Sequence, residues 1–108
     1  MDLNLQHKII IVSGGAKGIG EGIVKLLVAE GAVPVIAGRN EDDNLKTIND
    51  VKKAGGNCFA VKAELTKPEE CKKVIDFVMK EFGKIDGLVN NAGVNDGVGL
   101  EEAAMKNL

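Results

Sequence analysis

Lys8-Ile9-Ile10-Ile11-Val12-Ser13-Gly14-Gly15-Ala16-Lys17-Gly18-Ile19-Gly20 is the stretch that decides the fold. Residues 8–13 are apolar on both faces and mostly β-branched, as a central parallel strand covered by helices on each side must be. The strand ends in a glycine cluster, after which the apolar residues change to a helical period. Ile19, Ile23, Leu26 and Leu27 stand at spacings of four, seven and eight, on one face of a helix expected over 19–30, and Gly31 supplies its end. Strand, glycine turn and helix in this order open a βαβ unit.

The same alternation continues outward. Residues 33–37 predict a second strand, with Pro34 at its beginning or at a bulge because proline removes a ladder donor. Asn40 caps a second helix that carries Leu45, Ile48 and Val51 and closes at Gly55-Gly56. Residues 58–63 predict a third strand. Thr66-Lys67-Pro68-Glu69 reads as a capping box ahead of a third helix with Cys71, Val74, Ile75, Val78 and Phe82 at helical spacing and Gly83 at its end. Residues 85–90 predict a fourth strand, 94–99 a glycine-rich loop and 100–108 two turns of helix. About four strands and three to four helices give an α/β fold, a three-layer, doubly wound parallel sheet. It is incomplete, because a fifth strand beside the fourth is expected and not found. The bare edge of 87–90 favours self-association, as a homo-oligomer or an aggregate.

Composition narrows the function. A length of 108 residues suits one domain and is too short for two. There is no Tyr and no Trp, and His7 and Ser13 are the only residues of their kinds, so a tyrosine acid is excluded within these residues. Fourteen Lys and Arg against 16 Asp and Glu, without a basic block, argue against nucleic acid and for small-molecule partners. Cys58 and Cys71 form neither a disulfide framework nor a metal site. The longest stretch without a charged residue is the nine residues 87–95, too short for a membrane span, and Met1-Asp2-Leu3-Asn4 is no signal sequence; a cytoplasmic location is expected.

The glycine turn stands where a βαβ unit binds phosphate. Glycines let the backbone approach a pyrophosphate, and free amides with the helix dipole at 18–20 favour its charge. The spacing is Gly14-x-x-x-Gly18-x-Gly20, which fits neither G-x-G-x-x-G nor G-x-x-x-x-G-K-[ST]. After the second strand, where an NAD-binding unit presents an acid to the ribose hydroxyls, stands Gly38-Arg39, with the only Arg of the chain. Arg39 suits the 2′-phosphate of NADP as a two-pronged donor, and Lys17 adds a second positive charge. NADP is therefore expected over NAD.

Ser13-Gly14-x-x-x-Gly18-Ile19-Gly20 and Asn90-Asn91-Ala92-Gly93 together resemble the short-chain dehydrogenase/reductase family, over residues 3 to 100. Ser13 replaces the more usual Thr and keeps the hydroxyl. The resemblance implies a Rossmann-type NAD(P)-binding domain over 1–108. It implies that Gly14, Lys17, Gly18, Ile19 and Gly20 line the pyrophosphate and adenosine ribose, and that Arg39 lies by the ribose 2′ position. Glu64-Leu65 falls beside the adenine, Glu64 being a longer acid than the family's Asp. Asn90 would brace the sheet, and Asn91, Ala92 and Gly93 would pass near the ribose and nicotinamide. The opening Met1-Asp2-Leu3-Asn4-Leu5-Gln6 and Asn91-Ala92-Gly93-Val94-Asn95-Asp96-Gly97-Val98-Gly99-Leu100 look like the bacterial L-fucose dehydrogenase-like branch, whose members oxidise the anomeric carbon of sugars.

In that family a Tyr, a Lys four residues later and a Ser carry the proton chemistry at a small alcohol or carbonyl substrate. None lies within the chain. Asn107 is the nearest candidate for the Asn that joins them, and it follows Asn90-Asn91-Ala92-Gly93 too soon. The expectation is the cofactor-binding half of a longer oxidoreductase, inactive by itself. The alternative is a non-catalytic nucleotide-binding or dimerisation module. A methyltransferase-type domain fits less well, because it leaves Asn90-Asn91-Ala92-Gly93 without a role.

Overall fold

β1 (Ile9–Ser13) is buried along its whole length, because its alternate side chains enter two different apolar layers. The computed structural model describes residues 4–14 and 16–91. In it, Ile9 and Ile11 pack with Val35, Ala37 and the inner face of α3 (Pro68–Phe82), while Ile10 and Val12 pack with Ile36, Val24 and Val51 on the opposite face. The second layer is built by α1 (Gly18–Ala29) and α2 (Glu41–Lys53). Between the helix layers lie β2 (Val33–Gly38), β3 (Phe59–Lys62), β4 (Gly87–Asn90) and β1, all parallel, in the order β3-β2-β1-β4. This is the expected three-layer, doubly wound fold. Ile11, Ile36 and Ile75 are fully buried, and each contributes roughly 1.5–3 kcal/mol by leaving water.

Pro34 sits second in β2, as its chemistry requires. The Val33 amide donates to the Lys8 carbonyl of the β1 side, so alternation turns the Pro34 nitrogen toward β3. There the ladder begins one residue later, at Val35 against Phe59, and no donor is missed. Asn40 caps α2 as expected, its side chain accepting from the Asp43 amide at 3.0 Å. Gly31, Gly55 and Gly83 follow or end the three helices with positive φ.

Three expectations are corrected. Ile19 and Leu26 do not belong to the inward face of α1; they are 78% and 58% exposed, and the buried positions are Gly20 and Val24. The helix has turned so that its glycine, which has no side chain, meets the backbone of the glycine turn. Leu45 is likewise outward, and α2 buries Asn44, Thr47 and Val51 instead. The capping box is absent: Lys67 is the N-cap residue of α3 and makes no side-chain cap bond. Thr66 donates to the Glu64 carboxylate at 3.2 Å, and Glu70 accepts from the Glu64 amide at 3.1 Å, so both groups hold the preceding turn rather than the helix start. The expected loop 94–99 and helix 100–108 lie outside the described residues.

At the entrance of the sheet, the Ile9 amide donates to Asp86 Oδ2 at 2.7 Å and the Asp86 amide returns a bond to the Ile9 carbonyl at 2.8 Å. The Ile9 amide, and after it Lys84, holds the Asp86 carboxyl below the usual aspartate range. With the folded value below the unfolded one, this stabilisation is complete above the ordinary aspartate pKa and is lost as pH falls through the depressed value. Asp86→Ala is expected to cost about 1–2 kcal/mol at neutral pH. That gap is expected to shrink as pH falls below the ordinary aspartate range and through the depressed value, which urea unfolding at neutral and acid pH measures.

Cys58 and Cys71 are free and buried. Burial pushes the Cys58 thiol up to about 12 and also raises Cys71, so neither is a thiolate near neutrality. A thiol-reactive dye is expected to leave both untouched in the folded chain and to label both after denaturation.

Candidate functional site

Ser13 closes β1 with its side chain fully buried, and three backbone or side-chain groups from the end of β4 converge on its hydroxyl. Its oxygen accepts from the Asn91 amide at 2.9 Å, while its proton lies between the Val89 carbonyl (3.4 Å) and Asn90 Oδ1 (3.2 Å). Asn91 Nδ2 also donates to the Gly14 carbonyl at 3.4 Å. The two segments singled out by their motifs, 77 or 78 residues apart in sequence, are therefore one junction. Asn90 braces the sheet through this bond.

The turn leaving β1 is shaped by close backbone contact. Gly14 has φ 66° and donates its amide to the Ala37 carbonyl of β2 at 3.1 Å. A Cβ at Gly20 would overlap the Gly14 carbonyl and stand 2.6 Å from Asn91 Nδ2, so any side chain there would push α1 away from the turn. Gly18 has φ 56° and opens α1, and among the described residues nothing beyond its own neighbours and helix lies within 4 Å of where its Cβ would be. Lys17 is the N-cap residue and gives no side-chain acceptor to the first-turn amides. Among the described residues no side chain caps these amides, and amides at a helix start together with the helix dipole favour an anion.

Beside the turn, at the C-terminal ends of β1, β2 and β3, lies an open cleft of about 190 Å³ lined by Gly14, Ala37, Gly38, Arg39, Ala63, Glu64 and Leu65. Arg39 leaves β2 and is 78% exposed at its side chain, with Nη1 3.8 Å from Glu64 Oε2. Glu64 follows β3, and its backbone amide is held by Glu70, whose own carboxyl is kept below the usual range by that amide and then by Lys73. Lys17 extends away from the turn to Asp43 at 3.1 Å. Both cations expected at the site thus stand in exposed ion pairs, a kind worth about 0–1 kcal/mol and readily exchanged for a phosphate.

Gly14, Arg39, Glu64 and Leu65 are brought together in the cleft, and Lys17, Gly18, Ile19, Gly20 and Asn91 stand at the turn beside it. Ala92, Gly93 and Asn107 lie outside the described residues. Sequence reading missed Asp43, Asn44 and Thr47 of α2, which touch Lys17, Gly38 and Ala16. Their signal was present: Asn40, Asp43, Asn44 and Thr47 recur at helical spacing. Among the described residues no group of three or more His, Cys, Asp or Glu is placed to hold a metal, and no helix is long and apolar enough to cross a membrane.

The donors fit a dinucleotide: open space at Gly18, uncapped amides, a guanidinium at the cleft mouth and an apolar floor at Ala37 and Leu65. Comparison with known proteins agrees. A family model described as short chain dehydrogenase matches residues 8–108. A Listeria innocua protein described as an uncharacterized oxidoreductase is 33% identical over 92 residues, 85% of this chain and 37% of its own length. The 7alpha-hydroxysteroid dehydrogenase of Escherichia coli is 34% identical, over 85% of this chain and 36% of its own. Among solved structures, L-sorbose reductase from Gluconobacter frateurii, complexed with NADPH and L-sorbose, superposes with a TM-score of 0.82 at 32% identity, covering 87% of this chain and 36% of that one. The chain spans little more than a third of the length of these relatives. Such a match, running through both the glycine turn and the strand end that Ser13 ties to it, means that this chain belongs to the short-chain dehydrogenase family.

Proposed function

We propose that the chain is the cofactor-binding half of a longer NADP-preferring oxidoreductase that moves a hydride between nicotinamide and a hydroxyl or carbonyl carbon. The observation that carries this is the juxtaposition of the uncapped start of α1 with the Arg39–Glu64 mouth of one cleft. When bound, the nicotinamide supplies hydride chemistry. The chain's own residues bind and orient: amides at 18–20 take the diphosphate, Arg39 takes a 2′-phosphate with its forked donors, and Glu64 and Leu65 border the adenine. Glu64 also accepts Arg39 when no phosphate is present, and the dianion displaces it on charge.

For the substrate we favour a sugar hydroxyl, on the resemblance of segments 1–6 and 91–100 to L-fucose dehydrogenase-like enzymes; the structural relative named for L-sorbose is consistent with that class. The chain holds no tyrosine, so no residue of the kind that protonates the substrate oxygen in this family is within it. By itself it is expected to bind the dinucleotide and transfer no hydride.

Thermal unfolding tests the cofactor reading, because a ligand stabilises the state that binds it, by about 2.7 kcal/mol at a hundredfold excess over Kd. NADP is expected to raise Tm more than NAD at equal concentration. Arg39→Ala is expected to weaken NADP about tenfold or more and to leave the NAD shift in place. Gly20→Val is expected to abolish both shifts by forcing α1 off the turn. Equal shifts with both dinucleotides would remove the NADP preference, and no shift with either would remove the binding assignment.

A further inference from the structure

We propose that Asn44 and Thr47 are positioning residues for the dinucleotide, Thr47 holding the glycine turn and Asn44 holding the corner that carries Arg39. This inference rests on the cofactor reading above. Both side chains lie on the buried face of α2, at 3% and 0% exposure, where a helix of this layer needs apolar groups to pack on the sheet. Each instead reaches a backbone carbonyl of a segment bordering the site. Thr47 Oγ1 donates to Ala16, inside the glycine turn, at 3.2 Å. Asn44 Nδ2 donates to Gly38, the residue before Arg39, at 3.0 Å.

The arrangement at Asn44 is costly in a way that packing does not explain. With Nδ2 committed to the Gly38 carbonyl, Oδ1 is buried and makes no hydrogen bond. Turning the amide over would set two acceptors against each other. Oδ1 also stands 2.5 Å from where a Cβ on Gly38 would be, so the amide fills the space that the glycine leaves. A leucine would fill that space without burying an orphaned oxygen. What the amide provides and leucine lacks is a grip on Gly38, which already accepts from the Ala63 amide at 3.1 Å and so ties β2, β3 and α2 at the foot of Arg39. Thr47 similarly gives the turn a fixed point on α2, beside the Lys17–Asp43 ion pair at 3.1 Å. One helix face thereby sets the distance between the diphosphate end and the 2′-phosphate end of the site.

The test is calorimetric titration of the full chain with NADP and, separately, NAD, for the unchanged protein and for Thr47→Val, Thr47→Ser and Asn44→Leu, with Tm and amide hydrogen exchange measured without ligand. Thr47→Val is expected to weaken NADP and NAD alike by about fivefold, the equivalent of one net hydrogen bond. It is also expected to speed exchange at residues 14–20, and Thr47→Ser is expected to restore both. Asn44→Leu is expected to leave Tm unchanged or higher while cutting the NADP-to-NAD affinity ratio about fivefold. A purely structural role would lower Tm and leave the ratio alone. Unchanged affinities in both variants, or an equal loss of both cofactors in Asn44→Leu, would overturn the proposal. If the unchanged chain binds neither dinucleotide, the cofactor reading fails. Exchange at the turn then decides whether Thr47 tethers it, and an unaltered rate in Thr47→Val ends that part too. Should Thr47→Val fail to fold, Thr47→Ala takes its place, and unchanged affinities with an unaltered exchange rate at the turn in that variant overturn the Thr47 part.

Discussion

The pairing of β1 with β4 is the constraint on which the rest of the molecule depends. It is pinned at the entrance by the reciprocal bonds of Ile9 and Asp86 and at the exit by the buried hydroxyl of Ser13. Because β1 is apolar on both faces, a shift of one residue would exchange Ile9 and Ile11 with Ile10 and Val12 between the two layers and still bury apolar groups. Those polar contacts at the two ends of an apolar strand select one register from several that hydrophobic burial alone would accept.

That register also makes the site. The chain builds outward from β1 to β3 and then returns through α3 to place β4 on the other side of β1, so strand order reverses at Ser13. Loops leaving adjacent strands at such a point diverge to opposite faces and leave a crevice between them. Gly20 can lie against the Gly14 backbone and the Asn91 side-chain amide only because it carries no side chain of its own. The fold and the glycine turn are one arrangement, and a substitution that harms either harms both.

Much of this was legible in the sequence because the signals were local and strong. The β-branched run at 9–12, the glycine spacing at 14, 18 and 20, the Asn40 cap and the apolar stripe Cys71, Val74, Ile75 and Val78 each follow from backbone chemistry that tertiary context does not override. What stayed hidden depended on which way a helix turns. Ile19, Leu26 and Leu45 fit an apolar period, and their exposure follows from contacts that no period encodes: Gly20 seeking the turn, and Asn44 and Thr47 seeking carbonyls. The capping box at Thr66 failed for a related reason. The Glu64 carboxylate, a neighbour only once the corner had formed, took the Thr66 hydroxyl, and Glu70 took the Glu64 amide.

The ion pairs at the cleft have a kinetic meaning. Lys17 and Arg39 are each neutralised by an acid of the same chain, Asp43 and Glu64. An approaching polyphosphate therefore meets little net positive field at long range, and steering that would speed its diffusion is weak. If the site binds as proposed, capture is an exchange of partners at contact, carboxylate for phosphate. Salt in the medium then acts more on how long the ligand stays than on how fast it arrives.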